Sequence, residues 1–412
     1  MSAEAAEAAG RNRVAEHVAA LPADALPAYL YDLPALREHA AAVRAALPAG
    51  VELHYAVKAN PDTALLTALR PFVDGYEVSS GGEWAHVRTV LPTAPLAFGG
   101  PGKTPAEVAE VAAAGVHRWH VESVQELYRL AATGRPADVL LRANPGLAAG
   151  RLATAALAMG GGPSPFGMDP DDIGECLRLL RRPGFDRLRL RGIHAHLASG
   201  LDAEDQLATA EAVVAWATGL GAAEVNIGGG MAVDYADPAA RFDWPAFGTG
   251  LEKLLDRHPG LRLRIEPGRS LTAYCGWYAT EVLDVKRSHE EDFAVVRGGT
   301  HHLRTPATRG HAQPFSVLPV DGWAHPWPRP AAAGANVTLS GQLCTPKDVL
   351  AGRVPAPGLR AGDRVLFAMA GAYAWNISHH AFLMHPQPGF HVLDDPAVRP
   401  AARPSGGRVT AG

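Results

Sequence analysis

Cysteine is scarce in this chain of 412 residues: there are three, Cys176, Cys275 and Cys344, far apart in sequence. That spacing excludes a disulfide framework and fits a reduced, cytoplasmic enzyme. No run reaches the ~18 apolar residues that a membrane span needs, so no membrane partner is expected. The formal net charge is −4 and no basic run is present, which argues against nucleic acid as a partner. The segment Met1 to Ala20 is rich in Ala and Glu and lacks an apolar core, so it does not read as a signal peptide. No Gly-x-Gly-x-x-Gly follows the first strand candidate, which disfavours a doubly wound dinucleotide fold. No metal ligand set is expected.

The hydrophobic share, 47%, is that of a globular chain. The length exceeds one ordinary core of about 150 residues. Ala28-Tyr29-Leu30-Tyr31 reads as a short strand, followed by a helix with Asp32 as its N-cap. From residue 51 the chain alternates strand and helix patterns. Eight strand candidates stand out: Val51–Ala59, Gly75–Ser80, Pro95–Gly100, Arg118–Ser123, Asp138–Pro145, Arg191–Ser199, Glu224–Gly230 and Arg262–Arg269. Helical patterns fill most gaps, among them Gly82–Leu91, Thr104–Ala114, Ser123–Ala132, Ala203–Leu220 and Trp244–His258. This is the pattern of a (β/α)8 barrel, placed at residues 28–270. Beyond it the rhythm changes. Leu271–Lys286, Asp292–Arg297, Asn336–Leu339 and Asp363–Met369 read as strands of a mostly-β domain at 271–396. Residues 1–27 form an N-terminal segment expected to pack on the β domain, and 397–412 a mobile tail.

In such barrels the chemistry sits at the C-terminal ends of the strands, and reactive residues recur there. The first strand ends in Tyr55-Ala56-Val57-Lys58-Ala59-Asn60-Pro61, with a lysine placed to project into a pocket. Desolvated there, its pKa falls and it becomes an amine able to form a Schiff base. The second strand carries Glu77, the fifth Arg142, and the sixth His194, His196 and Ser199. The seventh ends in Gly228-Gly229-Gly230 and the eighth in Glu266-Pro267-Gly268-Arg269. Triple glycine lets the backbone approach an anion and offers N–H donors, and Arg269 adds charge. Taken singly, each has a bland reading: the glycines a turn, His194 a packed barrel residue, Glu77 a surface charge. Together, a Schiff-base lysine, a phosphate cradle and a carboxylate suggest pyridoxal phosphate. Lys58 would hold the aldehyde, Glu266 would face the pyridine nitrogen, and His196 would stack on the ring.

With these motifs the chain resembles the fold-type III pyridoxal phosphate-dependent decarboxylases, the ornithine and diaminopimelate decarboxylase family with an alanine racemase-like barrel. Beyond Tyr55–Pro61, Gly192–Ser199, Gly228–Gly230 and Glu266–Arg269, the resemblance rests on Leu343–Asp348 and Gly371-Ala372-Tyr373, and runs from about Ala28 to about Phe390. It implies a homodimer with active sites at the interface. Cys344 matches the cysteine that crosses from the partner to protonate the product carbanion, and Tyr373 a tyrosine near the phosphate. Alanine racemases share the fold and typically set an arginine at the pyridine nitrogen, so Glu266 points to decarboxylation.

Departures from the family pattern bear on the substrate. Thr345 stands where basic-amino-acid decarboxylases carry an acid after the cysteine. After Gly298-Gly299 the chain reads Thr300-His301-His302-Leu303-Arg304, with no Asp or Glu before Asp321. Two lost carboxylates and the gain of His301, His302 and Arg304 disfavour a distal ammonium and favour a carboxylate-bearing substrate. Asp348 remains to contact a polar group. The combination resembles the siderophore-pathway branch, which acts on citryl-diaminopropionate. The alternatives are decarboxylation of free diaminopimelate, ornithine or lysine, decarboxylation of a carrier-bound aminoacyl group, a racemase, and a non-catalytic regulatory homologue. Ala198 replaces a usual glycine, and Ser164-Pro165-Phe166-Gly167 replaces Ser-Lys-Phe-Gly.

Overall fold

All eight barrel strands form in the computed structural model, which describes residues 3–146, 157–158 and 160–394. They are Val51–Ala56, Gly75–Val78, Leu96–Phe98, Arg118–Val121, Ala137–Arg142, Leu188–His194, Glu224–Asn226 and Arg262–Ile265. Every pairing is parallel and follows chain order, and Leu263 opposite Val51 closes the ring. Both faces are covered, so the strands read as short apolar runs without alternation: Val51, Leu53, Tyr55 and Ala56 are all buried. Most strands end earlier than their apolar pattern suggests. The first leaves the ladder at Ala56, and Lys58 sits in a 3-10 turn, Val57–Ala59, which Asn60-Pro61 ends. Glu77 and Arg142 thus stand on the strands themselves, while Lys58, His196, Gly229, Gly230 and Glu266 stand just beyond strand ends on segments fixed by a rigid ring.

The helices between strands start on side-chain caps. Ser80 accepts from Glu83 N, Thr104 forms a capping box with Glu107, and Ser123 accepts from Glu126 N. Asp202 and Asp243 do the same for Ala203–Gly219 and Trp244–Arg257. At the N-terminal end of the barrel, Arg118 makes a bidentate pair with Glu224 at 2.6 and 2.7 Å. Glu224 also takes Arg262 at 2.8 Å, and Arg264 pairs with Glu52 on the first strand. These ion pairs close the end of the barrel opposite the cavity.

A second, mostly antiparallel sheet follows. Its strand order is Phe315–Leu318, Arg364–Phe367, Gly276–Ser288, Glu291–Val296, Asn336–Ser340 and Val349–Pro355. Phe315–Leu318, Val349–Pro355 and a further strand, Gly389–Leu393, were not anticipated. Strand Ala28–Asp32 corrects the expected barrel boundary. It pairs antiparallel with Gly276–Ser288 and parallel with Gly389–Leu393, so it belongs to this sheet and not to the barrel. The N-terminal helix Ala3–Ala20 packs beside it: Val14 and Val18 share a core with Leu26, Leu30, Trp277 and Leu366. The expected tail at 397–412 lies outside the described residues. No described helix is long and apolar enough to cross a membrane.

Candidate active site

A cavity of about 580 Å³ opens at the C-terminal ends of the barrel strands, under the edge of the second sheet. Lys58, Glu77, Arg142, His196, Ser199 and Glu266 line it, together with Gly229, Gly230, Gly268, Arg269 and Tyr373. All of them, with Gly228, lie in the strand-end and second-domain motifs from which the sequence points to pyridoxal phosphate. Of that set, only Gly228 is absent from the lining. It packs behind instead: its φ is +69°, and a Cβ there would stand 2.5 Å from the His196 Cβ.

The Lys58 Nζ donates to Glu77 Oε2 at 2.7 Å, and Ser79 Oγ donates to Glu77 Oε1 at 2.9 Å. The lysine keeps 40% of its side-chain surface open to the cavity while Glu77 is buried. The expected fall in the Lys58 pKa does not occur. Burial pulls it down, but the carboxylate of Glu77, with smaller help from Tyr373 and Glu266, carries it above the ordinary lysine value. The turn that holds Lys58 is tied to the second sheet by Asn376 Nδ2 to Lys58 O at 2.7 Å, Asn60 Nδ2 to Gly371 O at 3.0 Å and Tyr373 N to Ala59 O at 2.7 Å. Tyr373 is held at φ +49°, a region that side chains rarely adopt, and its carbonyl accepts from Thr305 Oγ1.

Opposite the lysine, Glu266 is buried and accepts from Asn226 Nδ2 at 2.7 Å. His194 Nε2 lies 3.4 Å and His120 Nε2 3.7 Å from its oxygens. The two imidazoles stack at 4.2 Å, and burial holds both pKa values well below the ordinary histidine value, so they stand neutral beside the carboxylate. No metal ligand set is expected from the sequence. The ligating atoms of His120, His194 and Glu266 nevertheless lie within 4.8 Å of one another. His196 is pushed down to about 3 by burial, then by Arg142 and Lys58, and its Nδ1 has no hydrogen-bond partner among the described residues. Arg142 pairs with Glu122 at 2.7 Å, and its guanidinium lies 4.9 Å from the Phe166 ring of the Ser164-Pro165-Phe166-Gly167 segment.

The glycine edge fits a phosphate. Among the described residues, the N–H groups of Gly229 and Gly230 donate to no backbone carbonyl. A Cβ on Gly229 would meet Glu266 O at 2.5 Å, so only glycine leaves this edge open. Arg269 donates to Tyr235 OH at 2.7 Å and lies 4.5 Å from the Tyr373 ring. An amine, an anion cradle and a buried carboxylate therefore face one space, as pyridoxal phosphate requires. His120, Asn226, Tyr235 and Arg309, which also belong to this neighbourhood, were missed. His120 was findable, since it stands near the C-terminal end of the fourth strand.

The residues expected to contact substrate are not gathered there. Cys344 is exposed and lies outside the lining of the Lys58 cavity. Thr345 and Arg304 line a separate cavity of about 920 Å³ with Thr300, Lys347, His311 and His379. Asp348, expected at the substrate, is 2% exposed, and its oxygens accept from Thr300 N at 2.6 Å and Leu343 N at 2.8 Å, so it ties two loops together and lines neither of these cavities. His302 is likewise committed, to Tyr278 OH at 3.0 Å and Pro386 O at 3.1 Å. His301 is fully buried against the rings of His302 and His385.

Residues 33–273 match the family described as pyridoxal-dependent decarboxylase, pyridoxal binding domain. The chain is 36% identical to a 2-[(L-alanin-3-ylcarbamoyl)methyl]-2-hydroxybutanedioate decarboxylase of Staphylococcus aureus, over 89% of this chain and 93% of that one. It is 30% identical to an L-glutamyl-[BtrI acyl-carrier protein] decarboxylase of Niallia circulans, over 88% and 87%. Among solved structures, the diaminopimelate decarboxylase of Helicobacter pylori complexed with L-lysine shares the fold, with a TM-score of 0.77 at 22% identity over 92% and 93% of the two chains.

Proposed function

Because this chain belongs to the pyridoxal-dependent decarboxylase family, we propose that it decarboxylates an amino acid whose distal end is a polycarboxylate, such as citrate joined by an amide to diaminopropionate. The observation that carries this reading is the second cavity. Arg304, Lys347, His311 and His379 bring cationic or protonatable groups to its wall, and among the described residues no Asp or Glu lines it. A distal ammonium finds no counter-charge there, whereas carboxylates find the cations of Arg304 and Lys347. The relative from Staphylococcus aureus acts, by its name, on a molecule of this kind, and that supports a place in siderophore assembly.

When bound, pyridoxal phosphate supplies the electron sink into which the bond to the leaving CO2 empties. The residues of the chain prepare that step. Glu266 sets its carboxyl group at the end of the cavity assigned to the ring nitrogen, held there by Asn226. His196 offers a neutral face for the ring, and the Gly229–Gly230 edge with Arg269 holds the phosphate. Lys58 anchors the cofactor and afterwards releases the product amine. Cys344 stands exposed beside Thr345 in sequence and away from the Lys58 cavity of its own chain. That placement supports a homodimer in which Cys344 and the second cavity serve the site of the other copy.

Release of CO2 by the purified, cofactor-loaded protein tests the substrate reading. Citryl-diaminopropionate should be turned over in preference to free ornithine, lysine and diaminopimelate, and to aminoacyl groups on a carrier protein. Preference for a free diamino acid or for the carrier-bound group would overturn it.

A further inference from the structure

Two arginines converge on the cofactor cavity without an acid to balance them. Arg269 comes from the barrel, just beyond the eighth strand, and its polar partner is the Tyr235 hydroxyl. Arg309 comes from the second sheet's side, at the end of the short helix Thr305–Arg309, and it also lines the cavity. Among the described residues, neither guanidinium makes an ion pair. Burial and then the charge of Arg269 both pull the Arg309 pKa down, which puts the two cations within reach of each other. Two unpaired like charges at one cavity edge destabilise the empty site. A dianion between them removes that penalty, and Gly229 and Gly230, whose N–H groups among the described residues donate to no backbone carbonyl, line the same cavity. A carboxylate carries one charge, whereas a phosphate monoester carries nearly two at neutral pH and accepts two guanidinium forks.

We propose that Arg309 is a second cation for the cofactor phosphate, so that the barrel and the β domain each contribute one arginine to it. This rests on the cofactor assignment and not on the identity of the substrate. The helix Thr305–Arg309 then acts as a clasp. Thr305 is bonded to Tyr373 O at one end and Arg309 reaches the phosphate from the other, which fastens the β domain over that end of the cavity.

The full-length protein, stripped of cofactor, is titrated with pyridoxal phosphate and, separately, with pyridoxal, which lacks the phosphate; binding is read from absorbance. Arg309→Gln should weaken pyridoxal phosphate binding roughly 10- to 100-fold and leave pyridoxal binding unchanged. Arg309→Lys, which keeps the charge but not the fork, should fall between. Equal loss for both ligands means that Arg309 only supports the fold and overturns the proposal. So does unchanged affinity for both with a raised KM for substrate, which would give Arg309 to a substrate carboxylate. Neither titration requires turnover, so a wrong substrate assignment leaves this test intact.

Discussion

Replacing Glu77 by Gln should make cofactor capture by Lys58 faster at neutral pH. An amine attacks an aldehyde only in its neutral form, and below its pKa that form falls tenfold for each pH unit. In this site burial lowers the Lys58 pKa, and the Glu77 carboxylate, 2.7 Å from Nζ, more than reverses that. An opposite charge this close shifts a pKa by roughly 1–3 units. Lys58 is 40% exposed to the cavity, so solvent screening favours the lower part of that range, about 1–2 units. With the charge removed, burial is left as the main influence and the pKa moves down. The rate of recombination of the stripped protein with pyridoxal phosphate, followed by absorbance across the pH range, should therefore be displaced toward acid by about 1–2 units. At neutral pH the rate should rise roughly 10- to 100-fold. The linkage has the same sign. A lysine pKa raised by folding contributes stability that is whole below its unfolded value of about 10.4 and is lost as pH climbs through the folded value. The variant should thus unfold more easily at neutral pH, with the deficit closing in strong alkali. A recombination profile that stays in place, or a rate that drops at every pH, would refute the reasoning and make Glu77 a proton acceptor for the reaction.

Glu266→Gln keeps the shape of the cavity but loses the charge at the position assigned to the ring nitrogen. Turnover should fall roughly 10²–10³-fold while absorbance shows the cofactor still attached to Lys58; a loss below tenfold would count against the role. At the other end of the barrel, Glu224→Ala takes the bidentate partner from the buried Arg118 guanidinium and leaves it only Asp138, at 3.4 Å, as a counter-charge. Urea unfolding should show a loss of about 3–5 kcal/mol, largely recovered in the Arg118→Met/Glu224→Leu double variant; a single-variant loss under ~1 kcal/mol would mean that solvent reaches the pair. Arg304→Ala should raise KM for a polycarboxylate substrate about tenfold or more with little change in kcat. An equal effect on an amino acid without distal carboxylates would remove Arg304 from substrate recognition.

The sequence was most legible where one physical rule governs many residues. Parallel strands buried on both faces read as apolar runs, and all eight barrel strands were found that way. The rule that barrel chemistry sits at strand ends then placed Lys58, Arg142, His196, Gly229, Glu266 and Arg269 around one cavity. It was least legible where a role depends on contacts across the chain. Ala28–Asp32 precedes the barrel in sequence, yet its hydrogen-bonding edges are completed by strands some 250 to 360 residues later. Asp348, four residues after Cys344, looked like a substrate contact. Its carboxylate is consumed by two backbone N–H groups that nothing in the local sequence reveals. Arg309 is the converse: an unremarkable basic residue at the end of a five-residue helix, brought to the cavity only because the second sheet docks over the barrel. Lys58 shows both kinds of information at once. Its position was set by the strand and the Asn60-Pro61 turn, but its proton affinity was misread. Burial could be inferred from the apolar run, whereas the opposing charge stands on the next strand, where only the register of Ala56 against Glu77 brings it close.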